Sequence, residues 1–281
     1  MDHAVYRIES AKRWAAAAAG WGRRAAFLQR SAMPVTRWML DAATLEPGQT
    51  VLELAAGPAE TGLMAAEAIA PGGRLICTDV AEPMLEVARA RAAELGRRNV
   101  EFRVVDAESI AIETASIDAV LCRWGYMLLA DPEAALRETR RVLRPGGRVA
   151  LAAWAAPTRN PWISLCAREL VRRGVAEPPE PGAPGMFAFA EPGLIEALLG
   201  ATGFYEVEVE ELALGLEYES FGEWWEVTAD LNRPLADAVA TLPREGVRDL
   251  RAELERLYAP YGQPDGSLRV PGHVLAAAAT A

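Results

Sequence analysis

Val51-Leu52-Glu53-Leu54-Ala55-Ala56-Gly57-Pro58-Ala59-Glu60-Thr61-Gly62 reads as a short apolar strand halted by a loop of small residues that opens a helix. The helix begins near Glu60, continues through Ala65–Ala70 and is ended by Pro71-Gly72-Gly73. The same pattern then repeats. Arg74–Asp79 is a second strand, Pro83–Leu95 a helix stopped by Gly96, Val100–Val105 a third strand and Ala119–Cys122 a fourth. A helix over Asp131–Leu143 starts with Asp131 as its N-cap and Pro132 at its first position. Pro145-Gly146-Gly147 turns into a fifth strand, Arg148–Trp154. Alternation of this kind requires right-handed crossovers, hence an α/β fold with a mostly parallel sheet covered by helices on both faces.

Outside that stretch the signals are looser. Residues 5–45 read as helix, with Trp14, Ala17, Trp21, Ala25 and Leu28 forming one apolar stripe, and Glu46-Pro47-Gly48-Gln49 is a turn. After Trp154 a helix covers Trp162–Arg173, a Pro/Gly-rich connector runs from Glu177 to Gly185, and a helix spans Pro192–Gly200. Residues 204–210 alternate as a strand with one wet face, and Val270–Ala279 supplies a last strand with Pro271 at its start. The expected organisation is an N-terminal helical flap (1–46), a core (47–219 and 266–281) and a helical insertion acting as a lid on the acceptor side (220–265).

Composition narrows the function. Of 281 residues, 51% are hydrophobic, enough for a sizeable core, and the formal charge of −10 disfavours a nucleic-acid partner. No run is long enough for a membrane span. Three widely spaced cysteines, Cys77, Cys122 and Cys166, form neither a disulfide framework nor a zinc knuckle. The N-terminus has acids where a secretory signal would be apolar, so a cytoplasmic location is expected.

In an open parallel sheet the ligand lies beyond the carboxyl ends of the strands. A P-loop would need lysine and a hydroxyl residue after Gly62, where Leu63 and Met64 stand. A dinucleotide fingerprint would need glycine at position 60, and Glu60 there repels pyrophosphate. The loop suits S-adenosylmethionine, which has no phosphate and whose sulfonium and ammonium welcome carboxylates at Glu53 and Glu60. Asp79 ends the second strand, 22 residues beyond Gly57, and can accept from both hydroxyls of a ribose. Asp106, with Ala107 behind it, ends the third strand and can accept from an adenine amine. The competing account of each acid is that it merely caps a helix.

Residues 47–154 resemble the cofactor domain of class I S-adenosylmethionine-dependent methyltransferases, in particular the ubiquinone/menaquinone-biosynthesis-like (methyltransferase type 11) branch. The motifs that carry the resemblance are Val51–Gly57, Thr78-Asp79-Val80-Ala81-Glu82-Pro83-Met84-Leu85, Val105-Asp106-Ala107-Glu108 and Arg141–Gly147. The family usually has glycine where Ala55 and Ala59 stand. The resemblance implies a Rossmann-like, seven-stranded, mostly parallel sheet with the last strand inserted antiparallel. It implies S-adenosylmethionine as methyl donor and S-adenosylhomocysteine as product. It also implies that Glu53, Ala55, Gly57, Pro58 and Ala59 shape the methionine pocket, while Asp79, Val80, Met84, Asp106, Ala107 and Arg123 complete the cofactor site.

Methyl transfer from a sulfonium needs chiefly proximity and orientation. Neither His3 nor His273 is identifiable as a base, so the catalytic residues stay unassigned. No His/Asp/Glu cluster has metal-ligand spacing, and no metal is expected. The Asn/Asp-Pro-Pro-Tyr-like clamp of the family's amine-methylating members is replaced here by Cys122-Arg123-Trp124-Gly125-Tyr126-Met127, which favours a small-molecule acceptor. Trp124, Tyr126 and Trp21 are the expected acceptor contacts, with packing under the next helix as the alternative for Trp124. The many flanking aromatics (Trp14, Trp154, Trp162, Phe187, Phe189, Trp224, Trp225) suit an apolar or aromatic acceptor. Alternatively they join lid to core, or one subunit to another in a homodimer. Arg137, Arg140, Arg141 and Arg144 read as a solvated, salt-linked helix face. The expected function is methyl transfer to a small acceptor; the rivals are a non-catalytic cofactor-binding protein and an NAD-dependent oxidoreductase.

Overall fold

The computed structural model describes residues 2–180 and 182–281; Met1, in the N-terminal flap, and Pro181, in the Pro/Gly-rich connector, lie outside the described residues. The chain enters through two helices, α1 (His3–Arg23) and α2 (Ala25–Ala42). It then alternates through β1 (Thr50–Glu53), α3 (Glu60–Ala68), β2 (Arg74–Asp79), α4 (Glu82–Glu94), β3 (Val100–Val104), β4 (Ile117–Arg123), α5 (Pro132–Val142) and β5 (Leu143–Trp154). Helices α6 (Pro161–Arg172) and α7 (Leu194–Ala201) lead to β6 (Tyr205–Tyr218). Helices α8 (Phe221–Leu231), α9 (Arg233–Thr241) and α10 (Arg244–Tyr258) precede the closing strand β7 (Leu268–Thr280).

The seven strands form one sheet in the order β3-β2-β1-β4-β5-β7-β6. Strands β1 to β5 pair in parallel, and β7 runs antiparallel to both of its neighbours. The Rossmann-like α/β expectation therefore holds, including the antiparallel insertion. Strands covered on both faces must be apolar throughout, and Val51, Leu52, Leu75, Ile76, Val120 and Leu121 are at most 1% exposed. Leaving β1 the chain winds one way to β2 and β3, and from β4 it winds the other way. The crevice beyond the carboxyl ends of β1 and β4 is thus left free of crossovers and is where a ligand fits.

Pro271 is the fourth residue of β7 rather than its first, and it is tolerated for a positional reason. It pairs with Gly215 of β6, whereas β5 reaches only as far as Trp154 opposite Val274. At Pro271 the strand has a single neighbour, so the missing N–H costs no ladder bond. Strand β6 also runs eight residues beyond the expected 204–210, through Tyr218.

Residues 5–45 fold as two helices, not one. The break at Arg24 is set by α8: the carbonyl of Asp230 comes so near that a Cβ on Gly20 would lie 2.4 Å from it. Arg23 and Arg24 bind the carboxylate of Asp230 at 2.5 and 2.6 Å. Trp14, Ala17 and Trp21 consequently pack with Ala81 and Met84 at the start of α4, while Phe27, Val35 and Met39 of α2 join the main core. Arg144 belongs to β5 rather than to the preceding helix, and pairs with Asp118. The rest of that basic face is salt-linked as expected, Arg137 to Glu133 and Arg141 to Glu138.

Candidate active site

Between β1 and α3 the backbone takes left-handed conformations at Ala55 (φ 50°), Gly57 (φ 54°) and Ala59 (φ 63°). For alanine this costs roughly 1 kcal/mol or more per residue, and here the packing holds it. A Cβ on Gly62 would lie 2.0 Å from Glu53 Oε2, and one on Gly125, after β4, would lie 2.7 Å from the Ala55 methyl. The two glycines let the loop, the start of α3 and the turn after β4 close on one another.

Three carboxylates meet at this closure. Glu53 is 3% exposed; its Oε1 accepts from Gly62 N at 2.8 Å and its Oε2 has no partner. Burial pushes its carboxyl up to about 8, against the opposing pull of the Gly62 N–H and the Arg123 charge. Glu60 accepts from Arg123 Nη2 at 2.9 Å through Oε2, while its Oε1 has no partner. Burial also raises this carboxyl, with the Arg123 charge opposing. Arg123 additionally donates to Thr36 Oγ1 at 3.0 Å, so α2 and α3 are tied to the end of β4. Asp79 accepts from Gly57 N and Ala81 N, both at 2.9 Å, and burial raises it too. Asp79 thus ties the glycine loop to Ala81, the residue just before α4, without capping that helix's first turn.

The unpartnered oxygens of Glu53 and Glu60 are buried acceptors, each of which costs free energy until a donor arrives. Ionised by an arriving ammonium or sulfonium, they can accept from that cation or from a hydroxyl, whereas a pyrophosphate brings no charge that would ionise them. The residues at this rim therefore fit S-adenosylmethionine and misfit a dinucleotide.

A cavity of about 230 Å³ opens from the loop. Of the residues singled out in the sequence it brings together Glu53, Ala55, Gly57, Asp79, Val80, Met84, Arg123, Trp124 and Trp21. Others stand elsewhere. Pro58 and Ala59 are buried beneath the loop. Asp106 and Ala107 do not line the cavity: α1 crosses that rim, with Arg7 3.8 Å from the Asp106 carboxylate and 2.8 Å from Glu108. Tyr126, expected at the acceptor, is 1% exposed and its hydroxyl meets Thr139 Oγ1 of α5 at 2.6 Å. The one-turn helix 126–128 rotates it into the core and turns Met127 and Leu128 to the cavity instead. Trp21 lies over Gly57, 3.9 Å from where a Cβ would be, and so stands at the glycine loop.

The far wall is largely invisible in the sequence. Trp124 stacks on Trp154 (4.5 Å between ring centres, 11° between planes), and Trp162 meets Trp154 at a 50° tilt (4.9 Å). Phe27 from α2, Leu214, Leu216 and Tyr218 from β6, and Thr228 and Asn232 at the end of α8 complete it. The flanking tryptophans stand out as a group, but nothing local distinguishes Trp154 and Trp162, which face the cavity, from Trp224, which is fully buried. His273 pairs with Glu211 and Arg159 away from the cavity. Among the described residues no group of three His, Cys, Asp or Glu is arranged to hold a metal ion, and no helix is long and apolar enough to cross a membrane.

Known proteins resemble this chain in sequence and in fold. Residues 51–147 match the family model described as a methyltransferase domain. The nocamycin O-methyltransferase of Saccharothrix syringae is 33% identical over 241 residues, 78% of this chain and 84% of that protein. The ubiquinone/menaquinone biosynthesis C-methyltransferase UbiE of Hahella chejuensis is 33% identical over 129 residues, and the match spans about half of it (51%) and 46% of this chain. Among solved structures, the YcgJ protein from Bacillus subtilis superposes with a TM-score of 0.57 at 19% identity, over 88% of this chain and 98% of that one. The [4+2]-cyclase SpnF does so with a TM-score of 0.56 at 18% identity, over 89% and 81%, so those likenesses establish the fold. The chain belongs to the class I S-adenosylmethionine-dependent methyltransferases.

Proposed function

We propose that the enzyme passes the methyl group of S-adenosylmethionine to a small acceptor that is apolar or aromatic in its body. The observation that carries this reading is the two-sided cavity. One end holds buried acids with unpartnered oxygens, and the other is walled by Trp124, Trp154, Leu214 and Leu216. In this reading Glu53 and Glu60 balance the positive charge of the amino-acid end, and Ala55 and Gly57, over Pro58 and Ala59, let it lie against the backbone. Arg123 keeps Glu60 in position. Asp79 keeps a lone pair on each oxygen beyond the two N–H bonds it accepts, enough for two ribose hydroxyls. Val80, Met84 and Trp21 enclose the nucleoside; Asp106 and Ala107 are left to the α1 contact. The sulfonium supplies an activated methyl group when bound. The protein's own part is to orient the acceptor and exclude water, which is worth up to roughly 7–11 kcal/mol of barrier. Helices α1 and α8, joined through Asp230, act as the lid over that reaction. The acidic surface supports a small acceptor over a nucleic acid.

Calorimetric titration with S-adenosylmethionine, S-adenosylhomocysteine and NAD tests the cofactor half: binding of the first two and none of the third is expected, and tight NAD binding alone overturns it. Mass spectrometry with isotopically labelled donor against an acceptor panel tests the other half. Cofactor binding with no transfer to any acceptor would make the chain a non-catalytic binding protein instead.

A further inference from the structure

The acceptor side of the cavity carries donors where a proton-abstracting group would be needed. Among its described residues there is no histidine, lysine or cysteine. The carboxylates all stand at the glycine-loop end: Glu53 is held by Gly62 N, Glu60 by Arg123, and Asp79 by Gly57 N and Ala81 N, and the oxygens that Glu53 and Glu60 leave open lie at that end too. The hydroxyl of Tyr218 is pushed far up by burial and stays a phenol. What remains on the acceptor side holds no base: the hydroxyls of Tyr218 and Thr228 accept a hydrogen bond but do not take up a proton near neutral pH, and the groups beside them offer N–H donors. Trp124 Nε1 is a buried donor without a partner, and Arg123, whose guanidinium lies 4.8 Å from the Trp124 ring centre, has only N–H groups. Asn232 Oδ1 already accepts from Leu235 N at 2.9 Å, and its Nδ2 group offers two N–H donors.

Trp124 is also held in a costly backbone conformation. Its φ is +62°, a region that bulky side chains avoid, and it is fixed there by a 2.8 Å bond from its N–H to Ala152 O and by stacking on Trp154. Strain of that kind persists where the surroundings over-determine it, and it gathers at ligand sites.

We propose that the acceptor is an acidic hydroxyl compound, an enol, a carboxylic acid or an activated phenol, which binds already ionised and is methylated on that oxygen, with Trp124 Nε1 and Asn232 Nδ2 as the donors that hold it. This rests on the function proposed above and narrows its substrate class. The O–H proton leaves to water before binding. An oxygen lone pair then forms the new O–C bond as the S–C bond breaks and its electron pair stays on sulfur. The products are a methyl ether or ester and a neutral thioether, and nothing is oxidised or reduced. The same wall disfavours an alkanol, which needs a base to lose its proton.

The test uses the full chain with labelled S-adenosylmethionine and matched probes: hydroxycoumarin as an acidic enol, naphthoate, naphthol and naphthylmethanol. Methyl product is expected from hydroxycoumarin and naphthoate near neutral pH, from naphthol only as pH rises toward its own ionisation, and from naphthylmethanol at no pH. The inflection of kcat/KM with pH should move with the acceptor. An inflection fixed across acceptors, transfer to naphthylmethanol, or no transfer to any acid probe overturns the proposal. Trp124→Phe keeps the ring and removes the N–H, so KM for an accepted acid probe should rise about tenfold or more, as expected for a hydrogen bond to a charged group. An unchanged KM refutes the part given to Trp124. Calorimetry on the same preparation keeps the outcomes apart: failure to bind S-adenosylmethionine sinks the underlying reading, whereas binding with the wrong acceptor preference sinks this inference alone.

Discussion

Glu53→Gln removes one titrating proton from the crevice while keeping its shape. The buried carboxyl is lifted from an ordinary 4.5 to about 8 in the folded chain. Between those values the folded protein holds a proton that the unfolded chain has released, so unfolding free energy falls as pH rises across that window. This contribution is complete below 4.5 and lost as pH climbs through about 8. Near pH 7 the unfolded group lies about 2.5 pH units past its midpoint, and at roughly 1.4 kcal/mol per unit the folded state has forfeited about 3 kcal/mol. Glutamine forfeits none of it, and its amide oxygen can keep the bond from Gly62 N. Its amide N–H groups inherit the unpartnered position of Oε2, which reduces the gain to about 2 kcal/mol. At roughly 2–4 °C per kcal/mol for a chain of this size, ligand-free Glu53→Gln should melt several degrees above the wild type near pH 8. It should melt level with the wild type near pH 5. It should also bind S-adenosylmethionine more weakly, because a neutral amide cannot balance an ammonium. Thermal melts of both proteins at the two pH values, with and without S-adenosylmethionine, measure all of this. A variant that melts no higher than wild type near pH 8 would refute the account of a carboxyl kept protonated by burial until a cation arrives.

Three further outcomes follow from the same geometry. Arg123→Met leaves Glu60 buried without its ion-pair partner and should lower stability by about 3–5 kcal/mol in denaturant titration; a loss under about 1 kcal/mol would mean the pair is not desolvated. Tyr126→Phe removes the hydroxyl that meets Thr139 and should cost about 1 kcal/mol of stability with acceptor KM unchanged, whereas a raised KM would return Tyr126 to the acceptor site. Gly62→Ala drives a methyl group into Glu53 Oε2 and should destabilise by about 1–3 kcal/mol, and an unaltered melting temperature would contradict the close approach of α3 to β1.

The glycine-loop end of the cavity is legible in the sequence because its determinants are local. Glu53, Gly57 and Asp79 lie within one strand–helix–strand unit, and parallel neighbours end at the same rim, so the order of residues along the chain predicts their meeting in space. The apolar runs of β1, β2 and β4 likewise announce burial on both faces. Tyr126 escapes that logic because its direction is set by a single turn and a hydroxyl on α5, which periodicity does not encode. Asp106 escapes it because the rim it stands on is crossed by α1 from the other end of the chain.

By itself, then, the sequence determined the doubly wound sheet, the loop of small residues and the acids at the strand ends, since each is written in spacings shorter than about 30 residues. Only the tertiary structure decided where the first helix breaks, which tryptophans face the cavity, and that Leu214, Leu216 and Tyr218 line its far wall. Those outcomes depend on contacts such as Arg24 with Asp230 and on the register of β6 against β7. A pairing register or a helix–helix contact is fixed by the complementarity of two distant surfaces, and neither surface carries that information alone.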